Sequence, residues 1–106
     1  MYRAYEAHAN LTRAALRSEL FDRIRESVAR ERWRSVKSLV DAVAPHCAER
    51  ERMLAAANIR YLLSASTWNY YRSYFGFSLR DSTAAAELSI RQALSGLRRA
   101  EPLDAP

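Results

Sequence analysis

The chain has 106 residues, 49% of them hydrophobic, with 17 basic side chains against 12 acidic ones and a net charge of +5. That is enough sequence for one domain with a modest core, and it is too apolar to be a disordered tract. No apolar run approaches the ~20 residues of a spanning helix. The opening MYRAYEAH lacks the apolar stretch of a signal peptide, and Cys47, the one cysteine, forms no intrachain disulfide and fits a reducing, cytoplasmic setting.

Helix-favouring Ala, Arg, Leu and Glu dominate, glycine occurs twice, and no run alternates with period two between turn signals. The expectation is an all-α fold, an antiparallel bundle of about four to five helices. Residues 1–100 form the domain and residues 101–106 a disordered tail.

The first predicted helix runs from about Tyr2 to Arg17, with Tyr5, His8, Ala9, Thr12 and Leu16 on one face. Ser18 marks a break. From Glu19 onward Phe21, Ile24, Val28, Trp33, Val36, Leu39, Val40 and Val43 recur at three- and four-residue spacing. That spacing predicts an amphipathic helix of about 25 residues, roughly 37 Å long. Pro45 stops it, because the residue before a proline is pushed out of the helical region. Pro45-His46-Cys47 is then a short connection to an antiparallel neighbour.

Glu51 to Gly76 reads as one long helix with two apolar faces. One carries Leu54, Ala57, Tyr61, Ala65, Trp68 and Phe75; the other carries Ile59, Leu62, Leu63, Ser66 and Tyr70. A helix over a single core needs only one apolar stripe, and so short a chain has little left to cover a second. A copy of the same chain, related by a two-fold axis, is the simplest cover for the second set, Ile59, Leu62, Leu63, Ser66 and Tyr70, which forms the predicted homodimer interface. Gly76 ends the helix in the left-handed conformation, and Phe77 packs back over that end. Ser78 and Asp81 form a loose capping box for a last helix from Leu79 to about Arg99. The small or mildly polar face of this helix, Ala85, Leu88, Ser89, Gln92 and Gly96, admits close approach of a partner helix and joins the predicted homodimer interface.

The inventory for chemistry is thin. Two histidines, His8 and His46, and one cysteine offer no set with metal-ligand spacing. His46 and Cys47 are neighbours in a turn, which is not the convergence in a cleft that a nucleophile and its base require. Phosphate-binding loops and serine-nucleophile motifs are absent. The reading is therefore a non-enzyme with no metal and no cofactor. Sixteen of the basic residues are arginines, interleaved with acids as in Glu26, Arg30, Glu31 and Arg32, a pattern of solvated faces laced with i,i+4 pairs. A basic stripe of Arg23, Arg30, Arg34 and Lys37 is the competing, nucleic-acid reading. The aromatic side chains are mostly core, yet pockets between bundle helices are lined in this way. Tyr5, His8, Phe21, Ile24, Trp33, Met53, Asn58, Tyr61 and Trp68 are the candidate lining of a site for a small hydrophobic or aromatic effector.

The segment Ala57-Asn58-Ile59-Arg60-Tyr61-Leu62-Leu63-Ser64-Ala65-Ser66-Thr67-Trp68-Asn69-Tyr70-Tyr71-Arg72-Ser73-Tyr74-Phe75-Gly76-Phe77-Ser78, followed by an Ala-rich helix, resembles the C-terminal part of TetR-family transcriptional regulators. In that family a long helix ends at Gly-Leu-Ser, and it and the next helix pair with their copies as a four-helix dimer interface; Phe77 stands here where Leu is common. Ala4 to Leu11 is similar to the helix that precedes the family's ligand pocket, and the Phe21 to Val43 helix to its elongated amphipathic counterpart. The resemblance implies an effector-sensing and homodimerisation domain. The family's N-terminal helix-turn-helix, about fifty residues long, has no counterpart pattern here: the chain reads as starting inside the regulatory domain. No operator-specific complex surviving ~200 mM salt is expected of it, and a ligand-free helical dimerisation or interaction module is the alternative.

Overall fold

A computed structural model of the chain describes residues 1–18 and 22–99. They form an all-α fold: α1 (Arg3–Ala7), α2 (Ala9–Arg17), α3 (Asp22–Val43), α4 (Glu49–Leu62), α5 (Ala65–Asn69), a π-helical turn (Tyr70–Tyr74) and α6 (Leu79–Arg99). No helix among the described residues is long and apolar enough to cross a membrane. The tail at 101–106 and the segment 19–21 lie outside them.

Two of the predicted helices are each divided. His8, with φ −125° and ψ 43°, leaves the helical region and separates α1 from α2. The rod predicted over residues 51–76 breaks at Ser64, which takes extended backbone (ψ 156°) and accepts a hydrogen bond from the Thr67 amide as the cap of α5. A broken helix leaves its last carbonyls without intrahelical donors. Here side chains supply them. The Tyr61 carbonyl accepts from the hydroxyls of Ser64 and Thr67, both at 2.6 Å. The Tyr2 hydroxyl donates to the Leu62 carbonyl and the Tyr5 hydroxyl to the Leu63 carbonyl, the latter at 3.0 Å. The N-terminal segment is thus fastened to the break. Burial pushes the Tyr2 hydroxyl well above the ordinary tyrosine range, with Tyr71 and Tyr5 adding to the effect, so it stays a donor.

The central helix is α4, which packs against α3 and against α6. One core holds Val40, Ala44, Cys47, Ala56, Ile59 and Leu97, with Trp33, Val36, Leu63, Ile90 and Leu94 against it. A second joins Tyr2, Trp68 and Ala86, flanked by Tyr5, Ala9, Tyr71 and Leu79. The molecule measures 49 × 31 × 18 Å. With helix axes 8–10 Å apart, the short dimension admits no more than two layers. Its radius of gyration, 15.7 Å, exceeds the about 13 Å expected of a compact domain this size. A flat body leaves apolar side chains outside.

This inverts the expected faces of α4. Ile59, assigned above to a partner, is only 6% exposed and sits in the chain's own core, with Leu63 packed beside it. Leu54 and Tyr61, assigned to the inner stripe, are 47% and 62% exposed. Both sets are apolar, so periodicity could not choose between them. The choice falls to the neighbours: Val40 and Ala44 of α3 and Leu97 of α6 close on the Ile59 side.

The connections follow the sequence closely. α3 ends at Val43, two residues before Pro45. His46 Nε2 and Cys47 Sγ both reach the Leu97 carbonyl, at 2.9 and 3.1 Å, tying this turn to the end of α6. Gly76 has φ 69°, and the Phe77 amide donates to the Tyr71 carbonyl while the two rings stack at 5.9 Å. Ser78 Oγ accepts from the Asp81 amide at 3.0 Å, opening α6.

Candidate functional site

The predicted pocket residues do not converge. Tyr5 lines a groove described below. His8, Met53, Asn58 and Tyr61 are exposed, Trp33 packs half-buried on the first core, and Trp68 is fully buried in the second. Phe21 and the side chain of Ile24 lie outside the described residues. The set assumed an unbroken rod facing straight helices. The breaks at His8 and Ser64 remove that geometry.

The groove runs between α2, α3 and the corner where α4 passes into α5. It encloses about 520 Å³, within the range of about 300–1,000 Å³ typical of small-molecule sites. Its walls are mostly apolar: Tyr5, Leu11, Ala15 and Leu16 from the first two helices, Val28 and Ala29 from α3, and Ala65 from α5. Thr12, Ser64 and Ser66 add hydroxyls, and Arg25, Arg32 and Arg60 edge it. The Arg25 guanidinium is engaged, donating to the Ala15 carbonyl and lying 3.6 Å from Asp22. The side chains of Arg32 and Arg60 meet no carboxylate among the described residues. No acid among the described residues lines the groove. Ser66, assigned above to the dimer interface, belongs here instead. Part of the sequence signal was present: Leu11 and Ala15 lie one turn apart on α2, as Val28 and Arg32 do on α3, although nothing in the sequence marks Arg32 as unpaired.

Elsewhere several of the cations are paired. Arg30 pairs with Glu26 at 2.5 Å, while Lys37 bonds Asp41 at 2.8 Å and Glu49 at 2.7 Å. Of the proposed basic stripe, Arg30 and Lys37 are thus in ion pairs, Arg34 meets no carboxylate among the described residues, and the side chain of Arg23 lies outside them. Arg52 completes that cluster with Asp41 at 2.9 Å and Glu49 at 2.8 Å, and it donates to the Pro45 and Cys47 carbonyls. Its hydrogen bonds join α3, the turn and α4. The hydrogen bonds from Lys37 hold the Asp41 and Glu49 carboxyls below their ordinary range.

A second polar node supports the groove from behind. Glu6 accepts from the Trp68 indole nitrogen at 2.7 Å and from Arg72 at 3.1 and 3.2 Å. Arg13 lies over the Trp68 ring, 5.1 Å from its centroid, and bonds Asn69 at 3.1 Å. These contacts dock α1 and α2 onto α5 and the π-helical turn, which fixes two walls of the groove. No group of three or more His, Cys, Asp or Glu side chains among the described residues is placed to hold a metal ion.

The chain matches no protein-family model, no curated protein and no solved structure. The reading of its function therefore rests on its own residues and geometry.

Glu6 also makes a test in solution. Its hydrogen bond from Arg72, helped by that from Trp68, holds its carboxyl below the ordinary range despite partial burial. A depressed folded value means that this node stabilises fully above the ordinary carboxylate range and fails as pH falls through the folded value. Glu6→Gln keeps an acceptor for the Trp68 indole and removes the charge. Urea midpoints measured from neutral pH downward should fall less steeply for the variant than for the parent. Asp41 and Glu49 supply the acid slope that remains. Identical slopes would show that Glu6 is not the charged partner of Arg72.

Proposed function

We propose that this chain is the effector-sensing and homodimerising regulatory domain of a TetR-like transcriptional regulator. The observation that carries the reading is the groove: an apolar hollow of about 520 Å³ walled by three separate parts of the chain. A ligand seated there touches α2, α3 and the α4–α5 corner at once. Its binding energy differs between arrangements of those parts, and differential affinity is what coupling between a ligand and a distant readout requires. The exposed outer faces of α4 and α6 supply surface for a second copy: apolar Leu54 and Tyr61 on one, and Leu88 beside Gln92 and the small Gly96 on the other. The last two helices of each chain would then pair in a four-helix interface.

A thermal-shift screen of the full chain against hydrophobic and aromatic small molecules tests the sensing half. Stabilisation by a related chemical series is expected, since a ligand bound only by the folded state raises its stability by mass action. A flat response across diverse chemistries would remove it.

A ligand-free helical interaction module is the second reading. Its support is the complete burial of Trp68 and the position of the groove at the surface, not inside the core. Such a module dimerises and gives the flat response.

A further inference from the structure

We infer that the groove takes a small amphipathic anion, an apolar chain or ring that carries a carboxylate. The inference rests on the reading of this groove as a ligand site and names the chemistry it selects.

The charges decide the head group. Three arginines edge the groove, and no acid among the described residues lines it. Across the rest of the chain, basic and acidic residues interleave, and Arg30, Lys37, Arg52 and Arg72 all meet carboxylates. Arg32 and Arg60 meet none among the described residues; exposed Arg34, Arg50 and Arg80 are also unpaired there, but only Arg32 and Arg60 of these flank the apolar groove. Arg60 is half-buried, and its guanidinium meets no anion among the described residues. Both residues also edge the adjoining hollow beside Val36 and Leu63, which places them where the two depressions meet. A planar guanidinium fork matches a carboxylate through two parallel hydrogen bonds.

The walls decide the body. Leu11, Leu16, Val28 and Ala29 offer apolar surface to a ligand chain or ring. A bare inorganic anion would leave that surface wet. A polyanion such as nucleic acid would need a track of cations, and along α3 beyond the groove Arg30 and Lys37 are spent on acids. One charge on an apolar body satisfies both halves.

Decanoate, decanol, decyltrimethylammonium and acetate, titrated calorimetrically against the full chain, separate the terms. Decanoate should bind, decanol at least about ten-fold more weakly because it leaves the guanidinium groups unpaired, and the cation and acetate not measurably. Arg32→Gln and Arg60→Gln should each weaken decanoate about ten-fold while leaving the circular dichroism and the decanol response unchanged, since neither arginine holds the fold together. Decanol or the ammonium compound binding as tightly as decanoate would overturn the anion assignment and leave the groove a ligand site. Silence from all four would overturn both. Acetate binding as well as decanoate would refute the need for an apolar body.

Discussion

Trp68→Ala is expected to cost about 3–5 kcal/mol, the range for removing a fully buried large aromatic side chain. A domain of this length has only about 5–15 kcal/mol in total, so the variant should lose a large share of its stability. The cost has two sources. The ring is completely buried among Tyr2, Tyr5 and Ala86, with its centroid 5.9 Å from that of Tyr5. Deleting it leaves a cavity that the short helices α1 and α5 cannot close without losing their own anchors. The indole nitrogen is also the link to Glu6 at 2.7 Å, and without it the carboxylate keeps only Arg72. Trp68→Phe separates the two. It retains most of the volume and loses the donor, and should cost about 1 kcal/mol, the net worth of one such hydrogen bond to about twice that for a charged acceptor. Urea unfolding followed by far-ultraviolet circular dichroism measures both. A loss below about 1 kcal/mol for the alanine variant would mean that the second core does not form around this ring.

The sequence made the helical class, the stop at Pro45, the left-handed Gly76 and the Ser78 cap readable, because each depends on one or two residues and local backbone chemistry. The break at Ser64 is different. Ser64, Ser66 and Thr67 are hydroxyl residues that compete with the helix for backbone partners and favour caps, yet they sit in a stretch whose apolar spacing carries straight through. What decides the break is remote: Tyr2 and Tyr5, some sixty positions earlier, supply donors to Leu62 and Leu63. A pattern window cannot see that. The same limit explains the groove. Tyr5 was legible because it faces inward on any helix through residues 2–17. Arg32 and Arg60 were not, since each looks like one more solvated arginine until the fold shows that no acid stands opposite. The inverted α4 faces have the same origin: two apolar stripes are equivalent in sequence and differ only in which neighbours reach them.

That inversion sharpens the test of self-association. Leu88→Arg is expected to weaken the proposed homodimer by about 3–5 kcal/mol, about two to four orders of magnitude in dissociation constant, as an unpaired charge buried in an interface does. Leu88 is 56% exposed in the single chain, so the substitution should leave the monomer's fold and thermal midpoint unchanged. Tyr61→Arg, on the exposed face of α4, should act in the same direction if both outer faces share the interface. Ile59→Glu is the contrast. It places a charge in the core with Val40, Ala44 and Leu97, so it should unfold the chain instead of dissociating it. Sedimentation equilibrium at micromolar concentration, read beside circular dichroism, distinguishes the three. A parent chain that sediments as a monomer would remove the dimer from the proposed function, and a Leu88→Arg chain that still dimerises would move the interface off this face of α6. Loss of dimer with retained helicity in both surface variants, and loss of helicity in the Ile59 variant alone, is the result expected if the exposed faces of α4 and α6 form the proposed interface.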